Sequence, residues 1–584
     1  MPIRLPQYAL PVLLVVFVLL GLAFNLSVPL GEASDEVSHY AYIQYLVEHH
    51  QLPEPEGAVL GEAHQPPLYY LMGALLTFWI PQQDFQAIAN PDFQLDDPQT
   101  PNYLLHPRSE AFPYHDNVLA WHLVRLLSTV LGAITVWATW RIAAGFFSPD
   151  SWMPFGAAAL VALLPGFLFI SGVVNNDNLI ITLSALSVLQ ITRMTRRRYN
   201  PRDSLVLGLL LGLAILAKLS GLVLWLFNTA MLLWWLFEGR NWKQLALHSA
   251  IVVGVAGALV APWVLYNLAA TGDPFRWSAY LAIITPRREP LTLQTTADIA
   301  QALAMSFWGS FGGVLHLKMA SAVYWILNAA ALLGLLGWVG YAYDAHRRQL
   351  GPNIRFLLVT FLAFWLVLLS AYVRWAITDM ATGQARLLYP GLPLWAIFMT
   401  AGFARLIPGK VKFAIGFWTA GLFGLSIAVL LFLHSLFAPP ILDLHALPPL
   451  APDRAPADFG RTIRVVDYQI DSVQVTPGGS LVVHIYWQAL SNPQEDYWML
   501  LQLANKDGAV ANRDGVPSAG KTTTDWWQKG EVYESRHTFA LPNDLAPGIY
   551  TLRLGLHPFN RWEWLPVQGA EMLQLDRITV TGSR

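Results

Sequence analysis

The chain has 584 residues, of which 55% are hydrophobic and only 13% are charged, so much of its surface must face lipid rather than water. No cysteine is present, which excludes disulfides, thiolate metal sites and cysteine nucleophiles. The formal net charge of -2 says little about the protein, because in a membrane protein it is the distribution of charge between loops that indicates the topology.

Apolar stretches long enough to cross the roughly 30 Å hydrocarbon core of a bilayer occur about eleven times. They lie at residues 8–29, 118–145, 152–174, 178–194, 203–219, 220–237, 245–270, 320–343, 354–373, 385–404 and 412–437. A shorter apolar stretch, 68–80, begins with tyrosines and is expected to lie in the interface or to re-enter the membrane. The sequence therefore predicts a polytopic α-helical protein of the cell membrane.

Basic residues cluster at the turns that follow the even-numbered spans. They are Arg141; Arg193, Arg196, Arg197, Arg198 and Arg202; Arg240 and Lys243; Arg347, Arg348 and Arg355; and Arg405, Lys410 and Lys412. By the positive-inside rule these turns are cytoplasmic. The N-terminus is then cytoplasmic, whereas the long segments 30–117 and 271–319 and the C-terminus lie outside.

The sequence changes character after the last span of the transmembrane domain, 1–437. Residues 438–458 are rich in proline and predict a semi-rigid linker. From 459 to 584 apolar residues alternate with polar ones, and turn signals such as Pro477-Gly478 and Pro547-Gly548 separate the stretches. This pattern predicts an extracytoplasmic all-β sandwich domain. This domain contains four tryptophans that either stack on a glycan or belong to the core of the sandwich, which is the more frequent role. They are Trp526, Trp527, Trp562 and Trp564.

Two acids follow the first span directly. Asp35 and Glu36 open the sequence DEVSHY, in which helical spacing places Asp35 and His39 on one face. A carboxylate at this place suits a general base. The alternative is that both acids only cap and solvate the first turn of an interfacial helix.

Three further polar residues belong to the outer half of the predicted membrane domain. His64 precedes two prolines that favour an extended approach to the membrane. Arg125 lies about two turns into the second span and is expected to point into the bundle. Asp177 lies in the turn NNDN, where turn chemistry alone accounts for the asparagines and leaves Asp177 as a candidate second acid.

Two cations lie at the outer ends of spans, where the positive-inside rule disfavours them. Lys218 occurs in AKLSG and Arg386 in GQARLLYP. Each alone is explained as an interfacial anchor, but a guanidinium also suits bidentate phosphate binding. Outer acids and membrane-edge cations that converge from different spans indicate a lipid-phosphate site.

In their order and sidedness these motifs resemble the GT-C superfamily of membrane glycosyltransferases, particularly protein O-mannosyltransferases and the aminoarabinose transferases of lipid A. The resemblance covers roughly residues 1–437 and is nearest to bacterial homologues, although no single motif is specific. The matching segments are Asp35–Glu36, His64–Pro67 with Gln65 inserted, Arg125, Asp177, Lys218–Gly221 and Arg386–Pro390, with departures at Ala385 and Leu387.

The resemblance implies inverting transfer of a sugar from a polyprenyl-phosphate donor to an acceptor hydroxyl of a glycan, lipid or protein at the outer face of the membrane. It implies that Asp35 and Glu36 are catalytic. It further implies donor-phosphate binding by Lys218, Arg386 and Arg125, and substrate positioning by His39, His64, Asp177 and Tyr389. No cofactor and no nucleic acid are expected. A divalent metal is possible, because several histidines lie outside, but it is not indicated, because these histidines show no diagnostic ligand spacing.

Two other classes of protein remain open from the residues alone. A transporter of lipid-linked sugars also needs phosphate-binding cations, but it should show midplane acids or paired broken repeats, and the sequence has no internal repeat. A non-catalytic scaffold that displays the β domain would make the outer acids dispensable.

Overall fold

The computed structural model describes residues 8–54, 61–81, 87–95, 101–148, 151–196, 200–288, 290–347, 352–380, 383–438, 441–442, 455–518 and 520–581. Contacts divide the chain into two compact units. The first, here called the membrane unit, comprises Met1–Val28, Ala33–Phe85 and His115–Phe432. The second, here called the β unit, comprises Pro29–Glu32, Gln86–Tyr114 and Leu433–Arg584.

The membrane unit is built mainly from α-helices. They are α1 (Ala9–Ser27), α2 (Glu36–His49), α3 (Leu68–Thr77), α4 (Asp116–Phe146), α5 (Trp152–Ala162), α6 (Pro165–Ser171), α7 (Asp177–Met194), α8 (Pro201–Ala217), α9 (Trp225–Phe237), α10 (Trp242–Thr271), α11 (Trp277–Ile283), α12 (Leu293–Ser306), α13 (Ser321–Arg347), α14 (Pro352–Thr378), α15 (Leu392–Leu406) and α16 (Val411–Phe437). Two 3₁₀ turns, Leu219–Leu224 and Ala385–Gly391, precede α9 and α15, and a short hairpin pairs β1 (Ser310–Phe311) with β2 (Leu317–Lys318).

Helix lies at every segment predicted to span the membrane. Among the described residues, eight helices are long and apolar enough to cross a bilayer, and a ninth span results if α5 and α6 count as one. The two remaining predicted spans are α7 and α8, with 18 and 17 residues, which fall short of that standard of length and hydropathy. The predicted interfacial stretch 68–80 contains the short apolar helix α3. The protein is therefore a polytopic α-helical membrane protein.

The third predicted span is broken between α5 and α6, which are bent by 62°. Pro165 opens α6, and a residue before proline is disfavoured in the helical conformation, so Leu164 adopts an extended backbone (ψ 116). The freed Gly166 N–H donates a hydrogen bond to Trp308 O at 2.8 Å. The break thus joins the third span to the segment before β1.

A tight turn follows α8 and presents Lys218. The helix ends at Ala217, and Lys218 is extended (φ -163, ψ 141) before the 3₁₀ turn begins. A Cβ atom on Gly221 would lie 2.3 Å from Ala214 O, so only glycine lets this turn pack against the end of α8. The division between the fifth and sixth predicted spans therefore falls at Lys218.

The β unit is a sandwich of two five-stranded sheets, as the alternating pattern predicts. Its strands are β3 (Ile441–Leu442), β4 (Ala457–Phe459), β5 (Ile463–Ile470), β6 (Gln474–Val475), β7 (Ser480–Ala489), β8 (Tyr497–Asn505), β9 (Gly508–Gly515), β10 (Val532–Ala540), β11 (Gly548–Pro558) and β12 (Leu573–Val580). One sheet has the order β3-β10-β7-β5-β4 and the other β6-β12-β11-β8-β9.

Alternate residues of both sheets form the core of the sandwich. Val483, Ile485 and Trp487 of β7 face Leu552 and Leu554 of β11, and all five side chains are fully buried. Burial of each such side chain stabilises the fold by about 1.5–3 kcal/mol relative to exposure. The predicted alternation on β7 and β11 is therefore confirmed.

Part of the segment 30–117 packs within the β unit rather than within the membrane unit. Asp92 accepts hydrogen bonds from Arg513 Nη2 at 2.7 Å and from Val516 N at 2.9 Å. His106 lies between Glu32 (3.1 Å) and Glu110 (3.0 Å). Although the sequence assigns all of 30–117 to the transmembrane domain, residues 86–114 thus belong to the β unit. Most of the predicted linker 438–458 lies outside the described residues.

Candidate active site

The two adjacent acids that follow the first span have different surroundings. Asp35 precedes α2 in the left-handed backbone region (φ 65, ψ 0), which aspartate tolerates better than most residues other than glycine. About 39% of its side chain is exposed, whereas the side chain of Glu36 is fully buried. Their proximity in sequence therefore does not give them the same role.

Glu36 and Arg125 form a buried, bidentate ion pair. Arg125 Nε and Nη2 donate to Glu36 at 2.8 and 2.7 Å, and Nη1 donates to the carbonyl oxygens of Asn25 and Val28. Glu36 Oε1 also accepts from Trp121 Nε1 at 3.0 Å and Val174 N at 2.8 Å.

The burial of this pair argues against two predicted roles. The sequence predicts Glu36 as catalytic and Arg125 as a phosphate ligand, but neither side chain has exposed surface, and both are occupied by each other and by the backbone. A buried bidentate pair that joins α1, α2 and α4 is a structural element. We therefore assign to both residues the positioning of the start of α2, which carries Asp35.

Asp35, Asp177, Lys218 and Arg386, here called the charged cluster, come together from four parts of the membrane unit. Lys218 Nζ donates to Asp177 Oδ1 at 2.6 Å. Arg386 donates to Asp35 through Nη2, and its Nε lies 3.4 Å from Asp177 Oδ2. Four of the predicted site residues thus form one continuous network of two cations and two carboxylates.

Local structure explains why these charges meet. Asp177 is the first residue of α7, where the helix dipole stabilises a carboxylate. Arg386 lies in the 3₁₀ turn before α15, and its guanidinium also donates to Gln384 Oε1 at 3.0 Å and to Ser34 O at 3.4 Å. Helix ends and turns therefore hold each charge outside regular apolar helix.

Burial and neighbouring charge separate the protonation states around Asp35. Burial opposes ionisation of Asp35, but the Arg386 guanidinium together with other neighbouring positive charge, including Lys218, outweighs this and lowers the pKa of Asp35. Burial, followed by repulsion from Asp35, raises the pKa of Glu62 to about 8. Burial lowers the pKa of His39 to about 3. At neutral pH Asp35 is therefore ionised beside a protonated Glu62 and a neutral His39.

The predicted positioning residues differ in their contacts. His39 is buried, and its Nδ1 lies 2.8 Å from Tyr70 Oη. His64 Nε2 lies 3.0 Å from Gln65 Nε2, and burial lowers the pKa of His64 to about 4. Tyr389 is 1% exposed and donates to Phe307 O at 2.9 Å, so its hydroxyl fixes the backbone of the neighbouring segment.

Glu62 is a member of the site that the sequence analysis missed. Ligand atoms of Asp35, His39 and Glu62 lie within 4.8 Å of one another, and Glu62 Oε2 is buried with no hydrogen-bond partner among the described residues. One nitrogen and two oxygen donors suit a divalent cation, which would act there as a Lewis acid. Its position two residues before His64 is the signal that could have identified it.

A shallow, open groove with a cavity volume of about 30 Å³ lies beside the charged cluster in the membrane unit. Arg386, Ser34, Gln384 and Tyr389 line one part of it, and Phe169 is among the apolar residues that line the rest. It therefore offers an anion-binding group at a wall that is otherwise largely apolar. Such a combination suits a ligand with a charged head and an apolar body.

The fold and this site define a polytopic membrane protein in which polar residues from separate helices meet beside a groove. A family model, dolichyl-phosphate-mannose-protein mannosyltransferase, matches residues 120–266. This match confirms, over that part of the chain, the resemblance that the motifs indicate. No curated protein matches the chain.

Several solved structures of membrane glycosyltransferases are similar to the chain at low identity. The apo oligosaccharyltransferase of Archaeoglobus fulgidus is 11% identical, with 74% of this chain and 56% of that one covered and a TM-score of 0.43. ArnT from Cupriavidus metallidurans, bound to undecaprenyl phosphate, is 14% identical, with coverages of 71% and 64% and a TM-score of 0.42. The S. cerevisiae protein O-mannosyltransferase complex, bound to the sugar donor, is 16% identical, with coverages of 46% and 35% and a TM-score of 0.33. The chain thus spans less than two thirds of the length of each.

Proposed function

We propose that the protein is a glycosyltransferase that moves a sugar from a polyprenyl-phosphate donor to an acceptor hydroxyl at the outer face of the membrane. The observation that carries this proposal is the charged cluster beside the groove. The family match supports it, because the matching family is described as a dolichyl-phosphate-mannose-protein mannosyltransferase, and the matched residues, 120–266, include Asp177 and Lys218. A donor with an apolar chain and a charged phosphate also has the chemistry that the groove and its cations require.

Lys218 and Arg386 are assigned to the donor phosphate. Both cations contact Asp177, whose carboxylate balances their mutual repulsion. A phosphate offers more negative charge and more acceptor oxygens than one carboxylate, and Arg386 can bind it in a bidentate manner. The same cations then stabilise the charge that develops on the phosphate as it leaves the sugar.

Asp35 is assigned as the general base. Its lowered pKa keeps it ionised at neutral pH, but also makes it a weak proton acceptor. When a donor phosphate neutralises Arg386, the charge that lowers this pKa is compensated, so Asp35 becomes a stronger base only with the donor in place. The deprotonated acceptor oxygen then attacks the anomeric carbon while the phosphate leaves with the bonding electrons, which inverts that centre.

Transfer assays on the purified protein in lipid nanodiscs test this proposal. A panel of polyprenyl-phosphate hexoses and pentoses is offered to the wild type, Asp35→Asn and Lys218→Ala. We expect turnover with at least one donor, lost turnover in Asp35→Asn, and weakened donor binding in Lys218→Ala. Glu238→Gln, which alters a pair with Arg240 outside the charged cluster, is the matched control and should retain activity. Absence of donor binding and turnover in the wild type across the panel would refute the proposal.

A further inference from the structure

Five aromatic side chains occupy one outer surface of the β unit: Trp498, His557, Phe559, Trp562 and Trp564. We call them the aromatic platform. Trp498 and His557 are cross-strand partners on β8 and β11. Their sequence neighbours Met499 and Leu556 are fully buried between the sheets, so by strand alternation Trp498 and His557 lie on the outer face.

Trp562 is exposed yet held in place. Its side chain is 76% exposed, and its ring stacks on His557 with 4.4 Å between centroids and 27° between planes. His557 is itself 5% exposed, and its Nδ1 lies 2.8 Å from Pro558 O. One face of the indole is therefore supported from below, whereas the opposite face is open.

A second tryptophan gives the platform a corner. The rings of Trp562 and Trp564 lie 6.3 Å apart at 67°, and Trp564 packs over Gly555. A Cβ atom on Gly555 would lie 2.6 Å from the Trp564 ring, so a side chain there would displace it. Phe559, at 43% exposure, lies 5.2 Å from Trp498 on the other side of the platform.

Hydrogen-bonding side chains flank Trp562 in the sequence. Arg561 donates to Glu495 at 2.9 Å, and its Nε lies 3.1 Å from Glu563. The guanidinium and the two carboxylates are all partly or largely exposed, so together they offer both donors and acceptors to a ligand.

We propose that the aromatic platform binds a glycan. The apolar C–H face of a sugar ring can stack on Trp562, while its hydroxyl groups, which both donate and accept, pair with Arg561 and its two carboxylates. Glycan binding here does not depend on the transferase activity proposed above. The structure also separates the four tryptophans of this domain, which the sequence could not tell apart. Trp562 and Trp564 belong to the platform, whereas Trp527 is fully buried and Trp526 packs against the core.

Size and charge favour a glycan over two other occupants. A stable protein partner usually covers about 800 Å² on each side, whereas one aromatic side chain supplies about 150–250 Å² at most. Within the platform, Trp562 is 76% exposed and Phe559 only 43%. An anionic lipid surface attracts clusters of lysine and arginine, but here one arginine lies between two carboxylates.

Binding of neutral oligosaccharides to the full chain in nanodiscs tests the inference. Because the chain lacks cysteine, Asn560→Cys, at an exposed position beside the platform, provides a single thiol for an environment-sensitive fluorophore. The probes are mannohexaose, maltohexaose and xylohexaose. We expect a saturable fluorescence change with at least one probe, about tenfold weaker binding when Trp562→Ala is added, and a smaller loss with Trp562→Phe.

Two control variants show whether a loss of affinity is specific to the platform. Ile549→Ala, which removes a 66% exposed apolar side chain from the same strand, should leave the affinity unchanged, as should Glu238→Gln in the membrane unit. No saturable response to any of the three probes, or equal affinity in Trp562→Ala, would overturn the proposal. Quenching of the fluorophore by lipid-embedded quenchers, without a response to the probes, would overturn it in favour of a membrane-binding surface.

Discussion

The assignment of Arg125 to structure rather than to phosphate binding predicts a specific mutant phenotype. Arg125→Met keeps the approximate length of the side chain but leaves the fully buried Glu36 carboxylate without its cation. Removal of one partner of a buried ion pair costs roughly 3–5 kcal/mol. Since proteins are stable by only about 5–15 kcal/mol, this variant should lose a large part of its free energy of unfolding.

Unfolding in mixed micelles, followed by tryptophan fluorescence, measures this loss, because the chain has 24 tryptophans and no thiol for reactive dyes. The double variant Glu36→Gln/Arg125→Met should be less destabilised than the sum of its single variants, since it leaves no uncompensated charge. The folded fraction of Arg125→Met should bind a polyprenyl-phosphate donor with the affinity of the wild type. Unchanged stability together with weakened donor binding would show that the reasoning is wrong and that Arg125 contacts the phosphate.

Three further outcomes can be measured. Asp35→Asn should lower turnover by about 10²–10⁴-fold. Donor affinity, measured by titration calorimetry, should be kept or increased, because Arg386 loses a competing anion. An equal fall in turnover and donor affinity would contradict the assignment of Asp35 as the general base. Burial alone would lower the pKa of His106, but the carboxylates of Glu110 and Glu32 outweigh burial and raise this pKa to about 10. The ion pairs of His106 therefore stabilise the fold fully below pH 6.5, the ordinary pKa of histidine, and this stabilisation is lost as the pH rises toward 10. The difference in melting temperature between wild type and His106→Gln should therefore shrink over that range, and a constant difference would argue against the ion pairs. Treatment with a chelator should leave turnover intact, because Arg386 already pairs with Asp35; a loss that is restored by a divalent cation would instead assign a metal to Asp35, His39 and Glu62.

Hydropathy and charge in the sequence were sufficient to predict the helices and the sandwich. Membrane spans must be long and apolar, and half-buried strands must alternate, so both leave a periodic signal. The convergence of Asp177, Lys218 and Arg386 could also be predicted, because each is a charge placed where the membrane makes charge costly. The geometry of this cluster could not be predicted, because it depends on the turn at Gly221 and on the 3₁₀ turn before α15.

The structure adds most at residues whose surroundings are not encoded locally in the sequence. Adjacent Asp35 and Glu36 look equivalent in sequence, and only the fold shows that one faces Arg386 and the other Arg125. Residues 86–114 have no periodic pattern, so their packing in the β unit through Asp92 and His106 left no signal. In the β unit, the sequence gives no reason to expect different surroundings for Trp562 and Trp527, yet Trp562 is exposed and Trp527 is buried.

The left-handed backbone at Asp35 limits which residues can stand at that position. Glycine, asparagine and aspartate adopt this conformation most readily, and of these only aspartate carries a carboxylate. A Glu side chain would keep the charge but add backbone strain at the start of α2, and Ala would mix that strain with the loss of charge. Natural variation at position 35 should therefore be narrower than at an ordinary acidic site, and Asn is the substitution that separates chemistry from conformation.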